Sequence, residues 1–271
     1  MPEVATYVPF YKEGFFGYAE KGDFKYWSLA HFIPILLLGV SIFLIYLFRN
    51  KIRKWKHEEN FRFIFAFVML MVEMSYFWRL LYVGSSETTR FVDLLDKLPL
   101  QVCGWTCIFA SFMLMKKSHK LFQVCFFVSM TLGVFPLLTP SVITSTGPTY
   151  YRYYQFWLEH ILPIIAVYYM AFVHGARPKM KGIISATVFM SVLVTFAMAC
   201  NFNIPEANYL YLADIGTSDG GGSVMDIMVK IAPNVWFRLA LLGVVVIGLF
   251  FLAYFASVGI RKLYAKKHHE N

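Results

Sequence analysis

Long uncharged or nearly uncharged apolar stretches recur along this chain, and they constrain its fold more than any motif. They run approximately from Ser28 to Phe48, Phe61 to Val83, Leu98 to Met115, Leu121 to Leu138, Tyr154 to Val173, Ile183 to Phe202 and Val235 to Val258. Each spans about 18 to 24 residues, and a helix needs about 20 to cross the hydrocarbon of a bilayer. The pattern predicts an all-α polytopic membrane protein with about seven transmembrane helices, of which the third and fourth are the shortest. Composition agrees: 58% of residues are apolar, 19% aromatic and only 15% charged, which does not describe an ordinary water-soluble domain.

Charge in the short connections sets the orientation, because Lys and Arg accumulate on the cytoplasmic side. Most of the 25 basic residues follow odd-numbered spans: Arg49, Lys51, Arg53, Lys54 and Lys56; Lys116, Lys117 and Lys120; Arg177, Lys179 and Lys181; and Arg261, Lys262, Lys266 and Lys267. The expected N-terminus is therefore outside and the C-terminus cytoplasmic. The net charge of +9 then reads as a topology signal, with attraction to anionic lipid as a secondary effect, and no nucleic-acid partner is expected. No linker or repeat divides the chain. We expect one domain: residues 1–27 as an outer interfacial segment without the order of a signal peptide, 28–258 as the bundle, and 259–271 as a basic tail.

Against this background His160 stands out, since an ionisable group deep in a span is costly and marks a functional site by default. All four cysteines, Cys103, Cys107, Cys125 and Cys200, fall in or at the end of apolar stretches, so a disulfide framework is not expected. Counted at 1.5 Å per residue from the outer ends of their spans, Cys103 lies about 7 to 8 Å deep and His160 about 12 Å. The two therefore share the outer half of the membrane. A thiol whose proton is taken by an imidazole becomes a nucleophile that accepts an acyl group as a thioester. Glu73 and Arg79 lie in the second span, too far around the helix to neutralise each other, so each is expected to find a partner on another helix. Arg152 and Gln155 sit at the outer mouth of the fifth span, where Arg152 could hold a lipid phosphate or act as an interfacial anchor. Glu159 is a possible orienter, but it points about 100° away from its neighbour His160 and ranks below the others.

Several runs together resemble a known family: VEMSYFWRL from Val72 to Leu80, LPLQVCG from Leu98 to Gly104, LLTP from Leu137 to Pro140, RYYQFWLEH from Arg152 to His160 and NYLYL from Asn208 to Leu212. They are similar to the bacterial YwaF-like integral membrane proteins, and more distantly to eukaryotic transmembrane acyltransferases that remodel ether phospholipids and to androgen-induced-type hydrolases of fatty acid esters. The resemblance implies Cys103 as acyl-accepting nucleophile and His160 as its base. In the hydrolase branch a Thr is the nucleophile, which makes Thr106, three residues displaced, the second choice. Asn208 and Tyr209 join the supporting or substrate-binding groups.

The 203–233 connection carries Gly216, Gly220, Gly221 and Gly222 but lacks the Lys and helix context of a phosphate loop, so it reads as a flexible outer cover. Zinc chemistry needs several converging ligands, and only His160 among the seven histidines lies deep in a span; no metal or other cofactor is expected. The leading expectation is a membrane-embedded acyltransferase or acyl-ester hydrolase acting on a phospholipid or lysolipid in a bacterial plasma membrane. Its competitors are a carrier of a small solute or proton using Glu73, Arg79 and His160, and a purely structural membrane protein.

Overall fold

The computed structural model describes residues 14–16, 24–83, 98, 100–140, 147–204, 207, 209–212 and 230–269. Their regular structure is helical throughout: α1 (Leu29–Arg53), α2 (Glu58–Val83), α3 (Val102–Lys116), α4 (His119–Met130), α5 (Phe135–Leu138), α6 (Tyr151–Val173), α7 (Met180–Asn203), a single 3-10 turn (Tyr209–Tyr211) and α8 (Val235–His269). Six of these segments, counting α4 and α5 together, are long and apolar enough to cross a membrane, and α3 is a shorter apolar helix. A polytopic bundle of about seven membrane helices results.

The short third helix has a reason in the sequence. Pro99 disfavours helix at Leu98, and Leu98 and Leu100 lie outside α3, which begins only at Val102. At 1.5 Å per residue its 15 residues extend about 22 Å, less than the hydrocarbon thickness of about 30 Å. The expected fourth span is also broken, by a turn over residues 131–134 before α5. Gly133 lies in that turn and Pro136 in the first turn of α5, where a missing N–H costs nothing. Conversely, the expected basic tail is a continuation of α8 through His269, because Arg, Lys, Leu and Ala favour helix and no Pro or Gly interrupts after Gly259.

α6 is the hub, packing against α1, α2, α3, α4 and α5. About two-thirds of it is buried, whereas α8, resting on α4 and α7, buries few residues. The exposed faces are apolar, with Leu36, Phe43 and Leu47 on α1 and Val244, Leu252 and Leu263 on α8. Such faces suit lipid rather than water. Polar residues on α6 are tolerated because that helix faces protein on nearly every side.

At the basic end, a clamp of charges ties three helices together. Glu58 Oε1 accepts hydrogen bonds from Arg62 Nε (3.2 Å), the Tyr169 hydroxyl (2.9 Å) and His174 Nε2 (2.8 Å), while Lys117 lies 3.4 Å from Oε2. Arg62, 1% exposed, also donates to the Leu114 and Met115 carbonyls. These carbonyls lie in the last turn of α3, where intrahelical donors run out and, among the described residues, only the Lys117 N–H also reaches Leu114 (3.3 Å). Arg53 serves α6 in the same way through the Phe172 and Val173 carbonyls. His174 lies just beyond α6, and burial holds its pKa below the ordinary histidine value against the opposing pull of Glu58.

Candidate functional site

Two prolines set the local framework. Proline has no N–H, so it frees the carbonyl four residues earlier in a helix, and a buried carbonyl then needs another donor. Pro34 in α1 frees the Ala30 carbonyl, which the Tyr153 hydroxyl of α6 takes at 2.5 Å. Pro163 in α6 frees the Glu159 carbonyl, and the Cys107 thiol of α3 donates to it at 3.4 Å. Cys107 is thus a tether that fixes α3 against α6 beside His160. Cys103 stands one turn outward on the same face of α3, half-buried, and all four cysteines are free thiols.

The mutually packed α2, α3 and α6 enclose a polar cluster around that thiol. Gln155 Nε2 donates to Glu159 Oε2 at 2.9 Å, and Arg152 lies 3.6 Å from the same oxygen while also donating to Gln155 Oε1. The Arg152 guanidinium rests on the Tyr76 ring, 4.6 Å from its centroid, and 5.8 Å from that of Phe156. The Cys103 thiol has the Glu159 carboxyl as hydrogen-bond acceptor, and the Glu73 and Arg152 side chains lie near enough to act on it electrostatically. Glu159, ranked low from its position beside His160, is therefore the best-connected carboxylate of the cluster.

Glu73, 5% exposed, is provisioned differently. Among the described residues no donor reaches its buried Oε2. A buried acceptor left in that state costs about 1–3 kcal/mol, more if charged. The carboxyl lies flat against Gly104, the residue after Cys103. A Cβ there would come 2.9 Å from Glu73 Cδ and closer still to Oε1. Only glycine lets a carboxyl from α2 approach α3 so nearly.

His160, 6% exposed, makes one defining contact: Nδ1 lies 2.7 Å from the Phe156 carbonyl. A carbonyl can only accept, so Nδ1 carries the hydrogen and Nε2 is left with the basic lone pair. His31 shows the contrasting case. Its Nδ1 accepts from the Trp27 N–H (3.2 Å), and its Nε2 donates to the Leu137 carbonyl (2.8 Å). Both nitrogens of His31 are committed, and with 0% exposure it holds α1 to α5 as a structural group.

The remaining expected residues fall outside this cluster or serve it indirectly. Arg79 Nε donates to the Phe16 carbonyl (2.9 Å), and the Tyr151 N–H donates to the Phe15 carbonyl (2.7 Å). The segment at 14–16 is thereby pinned over the outer ends of α2 and α6. The Thr106 hydroxyl donates to the Val102 carbonyl of its own helix (2.6 Å), which commits its proton. Tyr209 lends its hydroxyl oxygen to the Leu98 N–H (2.7 Å), and its backbone N–H donates to Asn201 Oδ1 (2.7 Å) while its carbonyl accepts from Asn201 Nδ2 (3.0 Å). It thus anchors the chain just before α3. Asn208 lies outside the described residues, as does most of the 203–233 connection.

Sequence reasoning passed over Tyr76, Ser75, Gly104 and Pro163, and placed Tyr151 only at the outer mouth of its span. The Tyr151 hydroxyl donates to Ser75 Oγ, which in turn donates to the Val72 carbonyl (2.5 Å). Of these, only Pro163 gave a usable sequence signal, since the carbonyl it frees follows from spacing alone.

Lipid-facing apolar helices around a buried cluster of two carboxylates, a guanidinium, an imidazole and a thiol define a polytopic membrane protein with an intramembrane polar site. More particularly, the chain belongs to the TMEM164 family, whose model matches residues 26–254. Neither among curated proteins nor among solved structures does anything match it.

Proposed function

We propose that this chain is a lipid acyltransferase, or an acyl-ester hydrolase, working through Cys103 and His160 in the half of the bilayer away from the basic loops. The observation that carries this reading is the fixed tautomer of His160, whose Nδ1 is held by the Phe156 carbonyl. A buried imidazole with a basic Nε2 is what general-base catalysis requires. The Cys107 tether keeps α3, and so Cys103, beside that part of α6. The likeness of the LPL-x-x-C and Q-F-x-x-x-H runs to YwaF-like proteins and to ether-phospholipid acyltransferases supports the same roles. A bacterial plasma membrane is the proposed location.

In the first half-reaction the Cys103 S–H proton passes to His160 Nε2 as sulfur bonds to the carbonyl carbon of a phospholipid ester. The ester C–O bond then breaks, and the departing oxygen takes the proton from His160. This leaves a thioester on Cys103 and a free lysolipid. An acceptor alcohol or water then takes the acyl group and regenerates the thiol. Arg152 is the group suited to the lipid phosphate, being a guanidinium at the outer end of α6 whose side chain remains 16% exposed.

The test is turnover in lipid nanodiscs containing a phospholipid with an isotopically labelled acyl chain and an unlabelled lysophospholipid. Wild-type protein is expected to move label to the lysophospholipid or to free fatty acid. Cys103→Ala and His160→Ala are each expected to lower the rate at least a hundredfold. Undiminished turnover in Cys103→Ala would overturn the reading, as would its complete absence in wild type.

A further inference from the structure

Glu73 is the buried group that the first half-reaction does not use. The two carboxylates of the site are unequally equipped: Glu159 Oε2 has Gln155 and Arg152 for partners, whereas Glu73 Oε2 is buried with no donor among the described residues. Buried polar atoms are nearly always satisfied, and an exception in a native protein calls for a reason. The position is also built for, since Gly104 removes the side chain that would push the Glu73 carboxyl away from α3. That places the unsatisfied oxygen beside the backbone of the residue following Cys103. Tyr76 lies one turn outward from Glu73 on α2, and Arg152 lies two turns outward from Glu159 on α6. The stacked Arg152 and Tyr76 therefore roof the cluster on its outer side.

We propose that Glu73 Oε2 is the acceptor for an incoming hydroxyl, serving as the base of the second half-reaction. The proposal rests on the acyl-transfer reading above and assigns the acyl acceptor to the alcohols, including water. The hydroxyl enters past the Arg152 and Tyr76 side chains and hydrogen-bonds to Oε2. Its oxygen then bonds to the thioester carbon as its proton passes to Glu73. The C–S bond breaks, and the Cys103 thiolate takes the proton back from Glu73. Atoms and charge balance without any further reactant. His160 opens the cycle, and Glu73 closes it.

The experiment separates the two halves. Wild-type, Glu73→Gln, Glu73→Leu and His160→Ala proteins are loaded with a phospholipid donor, and the acyl adduct is followed by intact mass spectrometry. It is followed with and without an added lysophospholipid bearing a free glycerol hydroxyl. Both Glu73 variants are expected to load but to release the acyl group at least tenfold more slowly, so that adduct accumulates. His160→Ala is expected not to load. Gln matches Glu in volume against Gly104, and melting curves identify any variant that fails to fold. Release at the wild-type rate both with and without the lysophospholipid, or equal slowing of loading and release, would overturn the proposal. An absence of adduct even in wild type would instead overturn the acyl-transfer reading and this proposal with it. If the Glu73 effect appears only in release to water, the acceptor is water and the protein is a hydrolase.

Discussion

Cys107 shows how one side chain acquires its role from a residue on another helix. Pro163 removes the donor for the Glu159 carbonyl, and the thiol replaces it. Cys107→Ala should therefore cost about 1–3 kcal/mol through an unsatisfied buried carbonyl, while Cys107→Ser should retain most of the stability. Thermal melting in nanodiscs checks this, and equal losses in the two variants would argue for packing alone. The freed carbonyl is legible in the sequence, because it lies four residues before a proline. Its donor is not, because which helix faces it is decided by tertiary packing. Glu159 was underrated for a related reason. Its angular distance from His160 says nothing of Gln155 and Arg152, which lie four and seven residues earlier on its own helical face.

At the scale of helices, the close approach of α2 and α3 depends on Gly104. Gly104→Ala drives a methyl into the Glu73 carboxyl and should destabilise the bundle by about 1–3 kcal/mol, as overpacking generally does. The same substitution in a Glu73→Ala background should cost at least about 1 kcal/mol less, since adjacent residues couple. Additive losses in that double-mutant cycle would mean that the glycine serves another purpose. Element type and order were legible from apolar length alone. The late start of α3 was written in Pro99 and the break between α4 and α5 in Gly133 and Pro136, but long apolar runs conceal such interruptions. The helical extension of α8 was hidden by charge, which marks where a span ends but not where a helix ends.

For the molecule as a whole, the clamp of Glu58, Arg62, Tyr169, His174 and Lys117 joins α2, α3 and α6 at the basic end, far along the same helices from the polar site. Arg62→Met should lower stability by about 3–5 kcal/mol, the usual consequence of removing one partner from a buried ion pair. His174 makes the clamp sensitive to pH. Its pKa is depressed in the fold by burial, so below about pH 6.5 the unfolded chain takes up a proton that the folded chain resists. Stability should fall as pH drops from about 7 toward 5, and His174→Gln should flatten part of that decline; an identical decline in the variant would remove His174 from the explanation. Membership of the TMEM164 family and the lipid-facing bundle account for where the protein resides, and the α2–α3–α6 cluster for what it is proposed to do there. The most direct measurement of that central claim is peptide mapping of wild-type protein quenched during exposure to phospholipid donor. The account predicts a thioester-linked acyl chain on Cys103, removed by hydroxylamine and absent from His160→Ala. Labelling of another residue instead, or labelling of Cys103 that persists undiminished without His160, would contradict it.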